Sequence, residues 1–504
     1  MRILMACSEA VPFAKTGGLA DVVTGLSKAF AHRGHDVTLV VPYYRQLMPE
    51  DLPRKPTGRF VEVPLRGRAV RAGVLQSRLE ETNVRVVLID HPHYFDRPSL
   101  YVDVEKRDYS DNCERFCVFS RCVLEAARLM RLRPDIVHAH DWQTGLIPAL
   151  AQVEYRGRSG FERMAAIFTI HNMAFQGWFA RDQMATTGLD WSYFNWRQME
   201  QHDQLNLLKT GIVFADAVTT VSPTYAREIQ TVEYGYGLEG VLQHRQGVVT
   251  GILNGVDVES WDPASDAALS MRYTVDTVAQ GKAACKRALQ ERLQLPAKPR
   301  TPLCGMVSRL TSQKGCDLLE DVVDRLLQDD VQLVFLGTGE PQYERLVQEL
   351  SVRRPDKVRS VIGFDEVLAR QIEAGSDIFL MPSHFEPCGL NQMYSQRYGT
   401  VPVVHAVGGL ADSVVDCTPE TLANGTATGF LFREYRAAAL LSRLRTALDT
   451  YRQSDVWSGL VRAGMQRDWS WERSAAAYEQ VYAAARASLG ATVPGPTGRT
   501  EGVV

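Results

Sequence analysis

Short runs of apolar, largely β-branched residues recur along the chain, each closed by polar residues or glycine. Residues 2–6, 36–41, 84–90, 135–139 and 166–170 make a first series. Unbroken apolar runs of this length are the pattern of parallel strands buried on both faces. Segments with a helical repeat, such as 19–32 and 112–132, fit between them. Alternation of this kind predicts a parallel sheet covered by helices, with ligands bound at the carboxyl ends of the strands. The series then restarts with 304–308, 331–336, 358–362, 378–382 and 401–404, and a helix is expected over 317–327. The stretch 247–272 reads as a crossing segment. The expected organisation is an N-terminal α/β lobe over 1–246, a C-terminal α/β lobe over 247–470, a terminal helix over 471–489 and a tail over 490–504. The tail is rich in Gly, Pro and Thr, which predicts disorder.

Composition narrows the class of molecule. A chain of 504 residues is long enough for two or three domains, and 45% apolar residues is the ordinary globular level. The formal charge of −3 supplies no general attraction to nucleic acid or to an anionic membrane, so neither is expected as a partner. No apolar run approaches the ~20 residues of a membrane-spanning helix. The 9 cysteines are scattered without a CxxC pair, and the N-terminus lacks the long apolar region and cleavage site of a secretory signal. A reducing cytoplasm is the expected compartment.

Several loops carry candidate chemistry. Lys15-Thr16-Gly17-Gly18 follows the first strand, with Asp21 just inside the next helix. An amine beside paired glycines suits a phosphate or a sugar nucleotide. The words Gly17-Gly18-Leu19-Ala20-Asp21 recur as Gly408-Gly409-Leu410-Ala411-Asp412, which reads either as two anion-binding turns or as two tight strand-to-helix turns. Arg309 and Lys314 follow the first strand of the second series, where fixed cations can neutralise a departing diphosphate. Glu386 lies in the loop after 378–382, and its carboxylate can hold sugar or ribose hydroxyls. Cys388 is adjacent, with packing favoured over nucleophilic chemistry.

Two strand ends in the first lobe carry histidines: His138-Ala139-His140-Asp141-Trp142 and Thr169-Ile170-His171-Asn172. The HxH spacing raises the possibility of zinc, but no third ligand is near and there is no DxD motif, so no metal is expected. Asp141 and His171 read as hydrogen-bonding groups for hydroxyls. A P-loop and a GxGxxG fingerprint are both absent; Gly337-Thr338-Gly339 is followed by Glu-Pro-Gln.

Taken together and in order, these motifs, with Asn254-Gly255-Val256-Asp257, resemble the bacterial glycogen synthases and plant starch synthases over nearly the whole chain. The resemblance implies a GT-B fold, with two Rossmann-like lobes facing a central cleft and a terminal helix crossing back to the first lobe. It implies retaining transfer of glucose from ADP-glucose to the non-reducing 4-hydroxyl of an α-1,4-glucan such as glycogen, with no cofactor. Carried over by position, Arg309, Lys314, Glu386, His171 and Asp141 would be catalytic. Lys15, Gly17, Gly18, Asp21, Asn254, Phe364, Cys388, Gly389, Leu390 and Asn391 would line the donor site, Phe364 against the adenine. Asn172 and Trp142 would meet the acceptor. Asn391 stands where the family usually has Thr, and Phe175 where Tyr is common. The competing readings are another retaining GT-B transferase with a different nucleotide sugar or acceptor, and a non-catalytic glucan-binding protein.

Overall fold

The computed structural model describes residues 1–491. The chain forms two compact units that are not contiguous in sequence. Of the described residues, the first contains Met1–Thr220, Ile229–Ile252 and the chain from Ser474; the second contains Val221–Glu228 and Leu253–Arg473. The expected boundary at 246–247 is thus replaced by one at 252–253, and a short segment of the N-terminal stretch packs with the second unit.

The first unit is built on a nine-stranded sheet. Its strands are β1 (Arg2–Ala6), β2 (Asp36–Pro42), β3 (Lys55–Leu65), β4 (Arg68–Arg78), β5 (Arg85–Asp90), β6 (Ile136–His140) and β7 (Ala165–Ile170). A separate three-stranded ribbon follows, β8 (Trp178–Ala180), β9 (Glu200–Gln201) and β10 (Gln204–Asn206), before the main sheet resumes with β11 (Ala217–Thr220) and β12 (Val249–Gly251). The order is β12-β11-β7-β6-β1-β2-β5-β4-β3. β6 and β7 are buried along their whole length, which is why apolar residues dominate them and their polar side chains must find partners inside the protein.

Apolar patterning reveals only the parallel heart of this sheet. The antiparallel hairpin of β3 and β4 escapes it, because Pro56, Gly58 and Pro64 interrupt β3 and much of that strand faces solvent. Proline is tolerated there because β3 is the edge strand. Its turn is Arg66-Gly67, both at positive φ (47° and 77°), the geometry of a tight two-residue hairpin. The strands β11 and β12 are too short to register as apolar runs.

The second unit holds a six-stranded parallel sheet: β13 (Leu303–Val307), β14 (Gln332–Gly337), β15 (Val358–Ile362), β16 (Ile378–Met381), β17 (Val401–His405) and β18 (Phe430–Phe432). The order β15-β14-β13-β16-β17-β18 is that of a doubly wound nucleotide-binding sheet, and β18 is the strand the apolar pattern does not reveal. A continuous apolar core packs beneath it, including Leu319, Val322, Leu333, Ile378, Val403 and Leu444.

The terminal helix spans Trp471–Ala491, and from Ser474 it belongs to the first unit. Tyr478 and Tyr482 on this helix are fully buried. Glu479 accepts from Arg33 and contacts His35, each at 2.7 Å. The Arg33 guanidinium, with His35, holds the Glu479 carboxyl down to about 2. The expected tail begins inside this helix, and 492–504 lie outside the described residues. Among the described residues no helix is long and apolar enough to cross a membrane.

Candidate active site

In a doubly wound sheet the crevice lies where the strand order reverses. In the second unit that point is between β13 and β16, which pair directly. The loops after these strands carry Arg309, Lys314 and Glu386. Two features bind the loops together. Gly315 sits at φ 81°, and a Cβ there would come within 2.2 Å of the Pro382 carbonyl oxygen, so only glycine allows the approach. The His384 amide also donates to the Gln313 carbonyl at 2.9 Å.

The result is an ion pair, Lys314 Nζ to Glu386 Oε2 at 2.5 Å, with the Glu386 side chain only 8% exposed. Ser383 Oγ donates to the same Oε2 at 3.1 Å. Both side-chain contacts of Glu386 therefore fall on one oxygen, and Oε1 keeps its acceptor capacity. Arg309 is exposed, and its guanidinium is steadied by neutral Gln313 at 3.1 Å. A cavity of about 200 Å³ opens here, lined by Ser308, Lys314, Glu386, Gly389, Leu390 and Asn391 among others.

Other expected donor residues are placed differently. The Asn391 amide is committed to the Val307 carbonyl at 2.7 Å, closing the end of β13. Cys388 is buried, and burial raises its thiol to about 12, so it packs as a neutral group. Asn254 is buried with Oδ1 lacking a partner among the described residues. Phe364 follows β15 and is 91% exposed, outside the cavity wall.

The second copy of the repeated words has a packing explanation. A Cβ on Gly408 would meet the Glu386 carbonyl at 2.0 Å, and one on Gly409 would meet the Cys388 carbonyl at 2.1 Å. The Gly408 amide is already covered by the Glu228 carboxylate. These glycines shape the Glu386 loop. Gly17 is the opposite case, since a Cβ there would meet no atom of the protein.

In the first unit the strand order reverses between β1 and β6, and the loops after them hold the other candidates. Gly18 begins the helix Gly18–His32 and Asp21 lies in its first turn, paired with Lys15 at 2.8 Å. A residue that motif reading misses organises this loop. Glu9, 3% exposed, accepts from the amide and hydroxyl of Thr16 and from the Tyr101 hydroxyl, each at 2.6 Å. Tyr101 is in turn set by buried Arg115, which donates to the Leu100 carbonyl at 2.9 Å. The signal in the sequence is an acid placed shortly after an apolar strand.

Asp141 follows β6 at φ 56° and ψ −179°, a region non-glycine residues rarely occupy and one typical of functional strain. Its carboxylate accepts from the His171 amide at 2.7 Å and from the Asn172 amide, yet burial pushes its carboxyl up to about 7. His140 Nδ1 meets His171 Nε2 at 3.0 Å. His138 contacts the Tyr482 hydroxyl at 2.7 Å and the Thr169 hydroxyl at 2.6 Å. Burial lowers His138 and His171 to about 3 and depresses His140 as well, so all three imidazoles are neutral. Both nitrogens of His138 serve hydrogen bonds within the protein, and among the described residues no group of His, Cys, Asp or Glu is arranged to hold a metal. Asn172 uses its Oδ1 on the Ala174 amide. Trp142, expected at the acceptor, is 9% exposed and packs between Phe116 and Phe179, so it supports the loop from within.

Residues 2–244 match the starch synthase catalytic domain and 289–458 match glycosyl transferases group 1. The chain is 48% identical to a glycogen synthase of Anaeromyxobacter sp. (strain Fw109-5), over 96% of this chain and 99% of that one. It is 45% identical to a glycogen synthase of Syntrophotalea carbinolica, over 96% and 98%. The catalytic domain of starch synthase IV from Arabidopsis thaliana, bound to ADP and acarbose, superposes with a TM-score of 0.88 at 35% identity, covering 96% of this chain and 99% of that one. A sucrose-phosphate synthase from Thermosynechococcus elongatus, at 18% identity and a TM-score of 0.58, shares the fold. With two Rossmann-like sheets, site loops at both reversal points and relatives this similar over nearly its full length, the chain belongs to the glycogen synthase and starch synthase family of GT-B glycosyltransferases.

Proposed function

We propose that this chain is a retaining glucosyltransferase that moves glucose from ADP-glucose to the non-reducing 4-hydroxyl of an α-1,4-glucan such as glycogen. The observation that carries the reading is the Lys314–Glu386 pair at the reversal point of the second sheet, with Glu386 Oε1 left to accept from a sugar hydroxyl and Arg309 on the same loop as Lys314, held by Gln313. A hydrolytic glycosidase flanks its bond with two carboxylates. Here cations dominate, as suits a donor already activated by a diphosphate.

In the reaction the bond from the glucose anomeric carbon to the ADP phosphate breaks, and a bond to the acceptor oxygen forms on the same face. The acceptor proton passes to the departing phosphate oxygen. Arg309 and Lys314 stabilise the charge that grows on that phosphate, the kind of fixed electrostatic help worth ~10²–10³ in rate per group. Glu386 orients both Lys314 and the sugar. Lys15 and the exposed backbone at Gly17 and Gly18 serve the phosphate end of the donor, with Asp21 holding Lys15 in place. Neutral His171, together with Asp141, offers hydrogen bonds to hydroxyls without adding charge that would compete for the phosphate. Trp142 and Asn172 shape the acceptor loop.

Because protein cations do the work at the diphosphate, activity is expected to persist in EDTA. None of the 9 cysteines is paired, which suits a cytoplasmic enzyme. Purified protein given ADP-glucose and glycogen should release ADP and lengthen the glucan. Carbohydrate affinity without ADP release would leave only a lectin.

A further inference from the structure

The first unit holds a second cavity, at the end of its sheet opposite the loops after β1 and β6. It has a volume of about 680 Å³, within the ~300–1,000 Å³ typical of small-molecule sites. Its wall is formed at the amino ends of β1, β2, β3 and β5 and by the chain just after the helix Asn112–Leu129. The candidate catalytic loops leave the carboxyl ends of β1 and β6. A five-residue strand separates the two ends by ~16 Å at ~3.3 Å per residue.

The charge of this wall stands out against a chain of net charge −3. It carries Arg2, Lys55, Arg59, Arg85 and Arg131 against a single carboxylate, Asp36. Arg2 is neutralised by Asp135 at 3.1 Å. The other four have no carboxylate partner among the described residues. Arg85 donates to the Thr38 hydroxyl at 3.1 Å, and Arg59 reaches the Leu129 carbonyl at 3.5 Å. Lys55 and Arg131 make no side-chain hydrogen bond or ion pair among the described residues. With Arg2 balanced by Asp135 and Asp36 offsetting one more cation, the concavity keeps an excess of three positive charges, a repulsion that an anion of matching charge relieves. Guanidinium groups are also the side chains best suited to phosphate oxygens.

We propose that this cavity is a binding site for a small oligophosphate anion, either an inorganic polyphosphate or the phosphate chain of a nucleotide. The inference does not depend on the transferase reading, since it rests on residues that take no part in it.

The test is calorimetric titration of the full-length Lys314→Met protein, in which the donor site is weakened, with inorganic tripolyphosphate and, separately, with ATP at low salt. Saturable binding at one site per chain is expected, weakening at least tenfold when Lys55→Ala and Arg131→Ala are added. Comparable affinity for both probes assigns recognition to the phosphate chain, and at least tenfold tighter ATP binding adds the nucleoside; either supports the site. Lys55→Ala/Arg131→Ala in the otherwise unaltered protein should keep its melting temperature and its kcat without added phosphate. Absence of saturable binding, or affinity unchanged by the Lys55 and Arg131 substitutions, overturns the proposal.

Discussion

Replacing Lys314 by methionine keeps most of the side-chain volume and removes only the ammonium. Two effects follow, and the structure separates them. The first falls on stability, because Glu386 is 8% exposed and loses its cation, keeping only the Ser383 hydroxyl. Breaking a buried pair from one side costs ~3–5 kcal/mol, and the surviving hydrogen bond with the 19% exposure of Lys314 places this case near ~2–4 kcal/mol. The second falls on the barrier. Loss of one preorganised stabiliser of a leaving diphosphate costs ~10²–10³ in kcat, or ~2.7–4 kcal/mol. A Lys314→Met/Glu386→Gln double variant distinguishes the two, since it removes the unpaired charge. It should recover most of the lost stability while its kcat stays at or below that of the single variant. The assays are ADP release at saturating ADP-glucose and glycogen, with thermal unfolding in parallel. A single variant that turns over within about threefold of the parent, or a double variant that regains activity with stability, would refute the role of Lys314.

Glu9→Gln should disturb the Lys15 loop, because an amide cannot accept from Thr16 and Tyr101 as the carboxylate does; a stability loss of ~1–3 kcal/mol and a raised KM for the donor are expected by calorimetry and kinetics. Gly315→Ala should unfold at a markedly lower temperature through its clash with the Pro382 carbonyl. Gly17→Ala should shift stability by less than ~1 kcal/mol yet impair donor binding, and equal melting losses in the two would undo the distinction. The buried histidines set an acid limit. His138 and His171 are held near 3 when folded against ~6.5 when unfolded, so their contribution is complete above about pH 6.5 and is lost as pH falls toward 3, at ~1.4 kcal/mol per pH unit for each. Asp141 acts oppositely: with its folded value raised to about 7, stability declines as pH rises from ~4 to 7. His138→Asn should therefore flatten the stability curve between pH 6 and 4 by about one proton's worth, and an unchanged slope in denaturant titrations would contradict its burial as a neutral ring.

The parts of the molecule legible in sequence are those where both faces of a strand are buried. β1, β6, β13 and β17 stand out as apolar runs because few polar groups could be satisfied there. The β3–β4 hairpin is hidden by proline and by its exposed face, although Arg66-Gly67 marks its turn. The cations and Glu386 are visible because each follows such a strand. What cannot be read is the division of labour among like residues. Gly17 and Gly408 begin identical words, but one faces open space and the other lies against the Glu386 carbonyl. Trp142 is aromatic like the 91% exposed Phe364, yet is packed inside its unit. Glu9 has no motif of its own, since its role depends on Tyr101 and Thr16 meeting it in three dimensions.

The assignment of catalysis to Arg309, Lys314 and Glu386 stands or falls on glucosyl transfer from ADP-glucose. It is tested most directly by incorporation of labelled glucose into glycogen with ADP-glucose and UDP-glucose run side by side, for the parent protein and for Arg309→Ala. Incorporation should favour ADP-glucose and fall by about two to three orders of magnitude in the variant. Incorporation undiminished in Arg309→Ala, or none from ADP-glucose with the parent protein, would contradict it.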